Sequence, residues 1–313
     1  MSTAATLSQA RDWAVDGSYA AGWRLVRALP EPAARAAFDR GADVAGRRNR
    51  RGVRQLRANL RRVVGPAVPE ADLDAIVGAG LRSYARYWRE TFRLPSMDRA
   101  SVLARTSTSG AEHIDAGLAA GRGVILALPH SGNWDIAGVW LIDRGVPFTT
   151  VAERLRPESL FNRFVAYRES LGFEIVALHG GERTPTEVLR QRLQGGGCVC
   201  LLADRDLSRS GMEVDFFGEP ARMPPGPALL AARTGAALLP VCVDFGSPEP
   251  QGWGQWIGTP LIAAPERLRD QVQDLTQQLA DTFAGRIAGR PEDWHMLQKL
   301  WTADLSAPVS VLR

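Results

Sequence analysis

The sequence predicts an α/β protein: a mostly parallel central sheet flanked by helices, with a helical N-terminal region. Two observations carry that reading. From Gly123 onward, short apolar runs ("VILALP", "PFTTVA", "FEIVAL", "CVCLLA", "LLPVCVDF") alternate with helical stretches such as "PESLFNRFVAYRESLG". Strand–helix–strand repetition means parallel strands covered on both faces. Earlier, residues 3–94 are rich in Ala, Arg and Leu and are punctuated by Pro30, Gly65 and Pro66, the texture of successive helices. With 313 residues, 45% of them hydrophobic, and no repeat or linker, one domain over 1–313 is expected, helical in 1–100 and α/β in 101–313.

The first helix carries Trp13, Trp23, Val26 and Leu29. Its two tryptophans fall within about 80° of each other on a helical wheel. Helix packing and membrane contact account for that equally well. Next, Arg47, Arg48, Arg50, Arg51, Arg54, Arg57, Arg61 and Arg62 crowd one segment with no acid between Asp43 and Glu70. The net charge is only +4, yet the pI is about 9.3, since Lys299 is the sole lysine among the bases. A cationic face of this kind is either a solvated helix surface or a site for lipid headgroups, nucleic acid or a soluble phosphate. Cys198, Cys200 and Cys242 lie in apolar stretches and read as core packing in a reducing compartment. No run approaches the ~18 apolar residues that span a bilayer, and no compact signal core opens the chain, so a cytoplasmic or peripheral location is expected.

"GVILALP" reads as a buried strand that Pro129 stops, because proline cannot donate to a ladder. His130 therefore sits at the carboxyl end of a strand, the edge where open α/β sheets bind ligands. Ser131-Gly132-Asn133 supplies a tight turn and a helix cap before Trp134 and Asp135. On a continuous helix, residues five apart point about 140° from each other. The turn lets Asp135 fold back under the imidazole, where it would fix the tautomer while His130 acts as a base. The spacing alone is weak: with 34 acids and four histidines in the chain, roughly 0.4 chance matches to His-x4-acid are expected.

Further along, Glu153 ends the next strand, and Arg168 lies near the C-terminal end of the following helix, as a helix-dipole contact or a phosphate clamp. "CVCLLADRD" runs from a core strand directly into Asp204-Arg205-Asp206, again at a carboxyl edge. Asp204 and Asp206 have the Asp-x-Asp spacing that holds a metal-bound sugar nucleotide in many glycosyltransferases. Arg205 between them and the absence of a glycine-rich fingerprint count against that competitor. After Phe216-Phe217-Gly218 and Met223 to Pro227, a helix runs to Thr234 and Gly235; "WGQWIGTP" reads as a strand and Pro265 to Arg290 as a long helix.

Seven blocks, "RYWRETFRLP", "LALPHSGNWD", "TTVAERLRPESL", "YRESLGFE", "VDFFGEP.RMP.GPA", "TGAALLP" and "DWHMLQ", stand in one order along the chain. Together they resemble the lysophospholipid acyltransferase-like enzymes with a His-x4-Asp/Glu motif, in the branch of lipid A and phosphatidylinositol mannoside acyltransferases. The resemblance implies transfer of a palmitoyl group from acyl-CoA, a co-substrate and not a cofactor, to the 6-hydroxyl of a mannose in a phosphatidylinositol mannoside. It implies a peripheral enzyme at the cytoplasmic face of the plasma membrane, with 1–100 facing an anionic lipid surface, 101–313 catalytic, and no nucleic-acid partner or metal. Trp13, Trp23 and the Arg47 to Arg62 cluster are expected to dock it there. Carried over by motif, His130 is the base, Asp135 its orienter and Asp204 a further catalytic carboxylate, with Glu153, Arg168, Arg209, Ser210, Arg233 and His295 as substrate contacts. Other members have Ala-Glu-Arg-Asp where this chain has Ala203-Asp204-Arg205-Asp206. With one methylene less, Asp204 is expected to act through a water or a shifted backbone.

Overall fold

The computed structural model describes residues 17–154, 157–180, 183–206, 211–246, 252–264 and 266–306. In chain order its elements are α1 (17–28), α2 (Glu31–Arg48), α3 (Arg51–Val64), α4 (Glu70–Arg93), α5 (Arg99–Ala104), β1 (Thr106–Ser109), α6 (Ala111–Ala119), β2 (Val124–Leu128), α7 (Trp134–Asp143), β3 (Phe148–Ala152), α8 (Glu158–Ser170) and β4 (Glu174–Ala177). Then follow α9 (Pro185–Gln194), β5 (Cys198–Leu202), the hairpin β6 (Met212–Phe216) and β7 (Glu219–Met223), α10 (Gly226–Thr234), β8 (Ala237–Asp244), β9 (Trp253–Ile257), α11 (Leu268–Gly289) and α12 (Thr302–Ser306).

Seven strands form one sheet in the order β1-β9-β8-β2-β5-β3-β4, parallel except where β8 meets β9. The predicted α/β class and helical N-terminal region are therefore what the chain forms. Side chains alternate across a strand, and here both faces are apolar. Ile125, Val199 and Leu238 enter one core with Leu189, Leu230, Leu279 and Phe283 from α9, α10 and α11. Val124, Leu126, Leu128 and Val241 enter the other with Ile136 and Val139 of α7 and Tyr87 of α4. A third cluster, Leu56, Leu60, Leu73, Val77 and Leu81, joins α3 to α4. The cysteines are free, and Cys198 and Cys242 are buried.

The N-terminal helices correct part of the docking expectation. Trp23 is 7% exposed; it packs on Phe92, Phe164 and Tyr167 and donates from Nε1 to the Phe92 carbonyl at 2.7 Å. Burying this indole satisfies α1 against α4 and α8, so Trp23 is a packing residue and offers nothing to a membrane. Trp13 lies outside the described residues. Within the arginine cluster, Arg57 pairs with Glu70 and Asp74, Arg61 with Glu70, and Arg62 with Glu219 and Asp304. Those three are paired with acids of other segments, while Arg47, Arg48, Arg50, Arg51 and Arg54 stand exposed at the α2–α3 corner.

Candidate active site at the carboxyl edge of the sheet

β2 and β5 are neighbours, with Leu128 opposite Leu202. Continuing that row by two residues sets His130 opposite Asp204, and the Ala203 N–H still donates to the Leu128 carbonyl at 2.7 Å. The sheet register therefore joins these two candidate residues. Asp204 Oδ1 lies 2.5 Å from His130 Nδ1, and its Oδ2 accepts from the His130 backbone N–H at 2.9 Å and from Trp294 Nε1 at 2.9 Å.

Asp204 is fully buried. Burial alone would raise its pKa, but His130 and the donated hydrogen bonds outweigh that and hold the carboxyl below its ordinary range. An ionised carboxylate only accepts, so Nδ1 carries a proton, and in the neutral ring the lone pair falls on Nε2. That is the tautomer a general base requires.

The carboxylate bonded to His130 is thus Asp204 and not Asp135, against the expectation for Asp135, and the contact is direct, against the expectation of a water or shifted backbone. Asp135 is 1% exposed and accepts from Arg168 Nε at 3.0 Å and Thr91 Oγ1 at 3.3 Å. It has no hydrogen bond to His130, because α7 begins beyond the turn and carries the carboxylate toward α8. Arg168 stands in the last turn of α8, where a helix-dipole contact was expected, and lines the aromatic side of the site; it is the half-buried partner of Asp135 and is pushed up from its ordinary value, burial being overridden by Asp135.

The turn is held from several sides. Gly132 adopts φ +55°, and a Cβ there would come within 2.7 Å of the Val243 backbone; glycine alone fits. Its N–H donates to the Asp293 carbonyl at 3.0 Å, and Ser131 bridges Trp294. Asn133 caps α7 through Ile136 N–H at 3.3 Å, while its Nδ2 donates to the buried Glu90 at 2.9 Å. His295 N–H donates to the His130 carbonyl at 2.8 Å.

Two pockets meet at His130. One is aromatic, lined by Tyr84, Trp88, Trp134, Phe164, Glu153 and His295. The other is apolar, lined by Leu189, Leu201, Leu202, Pro227, Leu229 and Leu230. Glu153 and Arg205 belong to both and are bonded to each other at 3.0 Å. A further apolar cavity beneath α7 is lined by Leu126, Gly138, Phe148, Phe173 and Cys200 and reaches Asp135 and Arg168.

His295 is buried, and burial with His130 nearby pushes its imidazole down to about 3, so it is neutral. Ser83 gives its one hydroxyl proton to Asp293 at 2.7 Å, so its oxygen takes the Nε2–H of His295 at 2.9 Å. His295 Nδ1, buried without a partner, is left as an acceptor. Arg233 is exposed on the last turn of α10 and lines neither pocket at His130, which removes it from the site; only the first turns of that helix face the sheet edge. Arg209 and Ser210 lie outside the described residues.

A model of the bacterial lipid A biosynthesis acyltransferase family matches residues 3–303. The chain belongs to that family. A Mycobacterium tuberculosis protein (strain CDC 1551 / Oshkosh) named phosphatidylinositol mannoside acyltransferase is 56% identical over 295 residues, covering 94% of this chain and 90% of its own. A protein of the same name from Mycolicibacterium smegmatis is also 56% identical, over 292 residues, 93% of this chain and 92% of its own. A lipid A biosynthesis acyltransferase of Haemophilus influenzae is 27% identical over 138 residues, 44% of this chain and 42% of its own.

For an acyltransferase, the glycosyltransferase alternative on Asp204 and Asp206 falls. Asp204 is committed to His130 and Trp294, while Asp206 Oδ2 accepts from the Gly211 N–H at 2.8 Å. The two carboxylates serve different partners. Sequence reasoning placed Asn133 as the cap but missed Trp294 and Glu90 as parts of the site. The signal for Trp294 was its place in "DWHMLQ", and for Glu90 an acid inside the aromatic run "RYWRETF".

Proposed function

We propose that this acyltransferase moves a palmitoyl group from acyl-CoA to the 6-hydroxyl of a mannose in a phosphatidylinositol mannoside, with His130 as general base. One observation carries the reading: an oriented His130 stands where an apolar pocket, suited to a fatty chain, meets an aromatic pocket with polar groups, suited to a sugar. Aromatic faces stack on sugar rings, while Glu153 and the free acceptor on His295 receive their hydroxyls. Names of the relatives support the acceptor class. The sugar oxygen attacks the thioester carbonyl directly, so neither a nucleophilic side chain nor a cofactor takes part. The enzyme works peripherally at the cytoplasmic face of the plasma membrane, and no helix among the described residues is long and apolar enough to cross a bilayer. Anionic lipid, not nucleic acid, is its surface partner.

Mass spectrometry of lipids after incubating the purified chain with mixed acyl-CoAs and phosphatidylinositol mannosides tests this. The expected product is the mannoside plus one acyl ester, palmitoyl dominating, with fragmentation placing it on a mannose 6-oxygen. An unchanged acceptor, or an ester on the glycerol, would overturn the reading.

A further inference from the structure

Direct attack on a thioester turns its carbonyl oxygen into an oxyanion, and a buried site must meet that charge with fixed donors. The turn after His130 has few to spare. Ser131 N–H donates to the Pro129 carbonyl at 2.8 Å and Gly132 N–H to the Asp293 carbonyl at 3.0 Å. Asn133 Nδ2 is held by Glu90 and the His130 N–H by Asp204. Arg168 Nε is committed to Asp135, and His295 Nδ1 offers a lone pair, not a proton.

Arg205 differs from all of these. It follows Asp204 in the chain, lines both pockets where they meet, and is anchored through Nη2 by Glu153 at 3.0 Å. Its side chain is 19% exposed, and its Nε–H is buried without an acceptor. A buried N–H left unpaired is costly, and an acceptor that arrives with the substrate relieves it.

Resting on the acyl transfer proposed above, we infer that Arg205 is a catalytic residue whose Nε–H donates to the thioester oxygen as it becomes an oxyanion. In the step, His130 Nε2 takes the proton of the acceptor hydroxyl while that oxygen bonds to the thioester carbon. The carbonyl π pair moves onto its oxygen, where Arg205 meets it. Collapse restores the carbonyl and breaks the C–S bond, and the CoA thiolate leaves with the proton from the imidazolium. Glu153 keeps the guanidinium in place throughout.

The test measures kcat and donor KM separately for Arg205→Gln, Arg205→Lys, Glu153→Gln and His130→Ala, with palmitoyl-CoA and a phosphatidylinositol mannoside. Calorimetry with a thioether analogue of palmitoyl-CoA and thermal melting accompany each variant. Arg205→Gln is expected to lower kcat by about 10²–10³-fold, with donor KM and analogue affinity within about threefold, since the donor acts only on developing charge. Arg205→Lys keeps a donor and recovers part of kcat, which also serves should the glutamine variant fail to fold. Glu153→Gln, which leaves Nε intact, loses less. A raised donor KM at full kcat would make Arg205 a binding group and overturn the assignment. So would equal losses in Arg205→Gln, Glu153→Gln and their double variant, which would reduce Arg205 to its ion pair. A wild-type chain that forms no ester, or an active His130→Ala, sinks the acyl-transfer reading itself. An active wild type, an inactive His130→Ala and full kcat in Arg205→Gln sink only Arg205.

Discussion

Asp204 decides which nitrogen of His130 is basic. Its Oδ2 already accepts two N–H donors, from the His130 backbone and Trp294. In Asp204→Asn those donors require the amide oxygen at that position, which turns the amide NH₂ toward Nδ1. The ring must then accept at Nδ1 and carry its proton on Nε2, the wrong tautomer for a base. The substitution therefore removes basicity while leaving shape almost unchanged. His130 itself was legible from an apolar run stopped by proline; its partner was not, since the identity of the carboxylate depends on which strand lies beside β2. Local spacing pointed to Asp135, five residues away, whereas the β2–β5 register brings in Asp204 from 74 residues away. Resemblance named Asp204, and only the register gives it the orienting role.

At the scale of elements, α4 positions the turn. Glu90, 5% exposed, accepts from Asn133 Nδ2 at 2.9 Å, Trp253 Nε1 at 2.8 Å and Arg86 Nε at 2.6 Å. One carboxylate thus ties the cap of α7 to β9. Removing it orphans buried donors and a cation, so Glu90→Ala is expected to cost about 3–5 kcal/mol in urea denaturation. A loss below about 1 kcal/mol would show that this network does not hold the turn. The helices and apolar strands were legible because their periodicity reports burial. β1 was not: "TSTS" on the sheet edge has no apolar residue. The β6–β7 hairpin escaped too, because its turn uses Phe217 at φ 55° before Gly218 at φ 78°, in place of the Asn-Gly that marks such turns.

At the scale of the molecule, charge is divided between structure and surface. Arg62 reaches Asp304 at 2.9 Å and stacks over Trp301 at 4.7 Å, so it latches α3 to the C-terminal segment. Arg50, Arg51 and Arg54 stand exposed at the α2–α3 corner. Replacing these three with alanine is expected to weaken sedimentation with anionic vesicles by about 1 kcal/mol per residue, an effect that salt abolishes. Equal binding by the variant would remove the corner from the docking surface. The sequence exposed the cluster as a block; which arginines remain free depends on acids brought in from α4, β7 and α12. In the proposed function all of these parts serve a base held between two pockets, and the most direct test is the single-turnover rate of palmitoyl transfer in Asp204→Asn. The account gives a loss of about 10³–10⁴-fold with substrate affinities and melting temperature near wild type. A variant that transfers palmitoyl at the wild-type rate would contradict it.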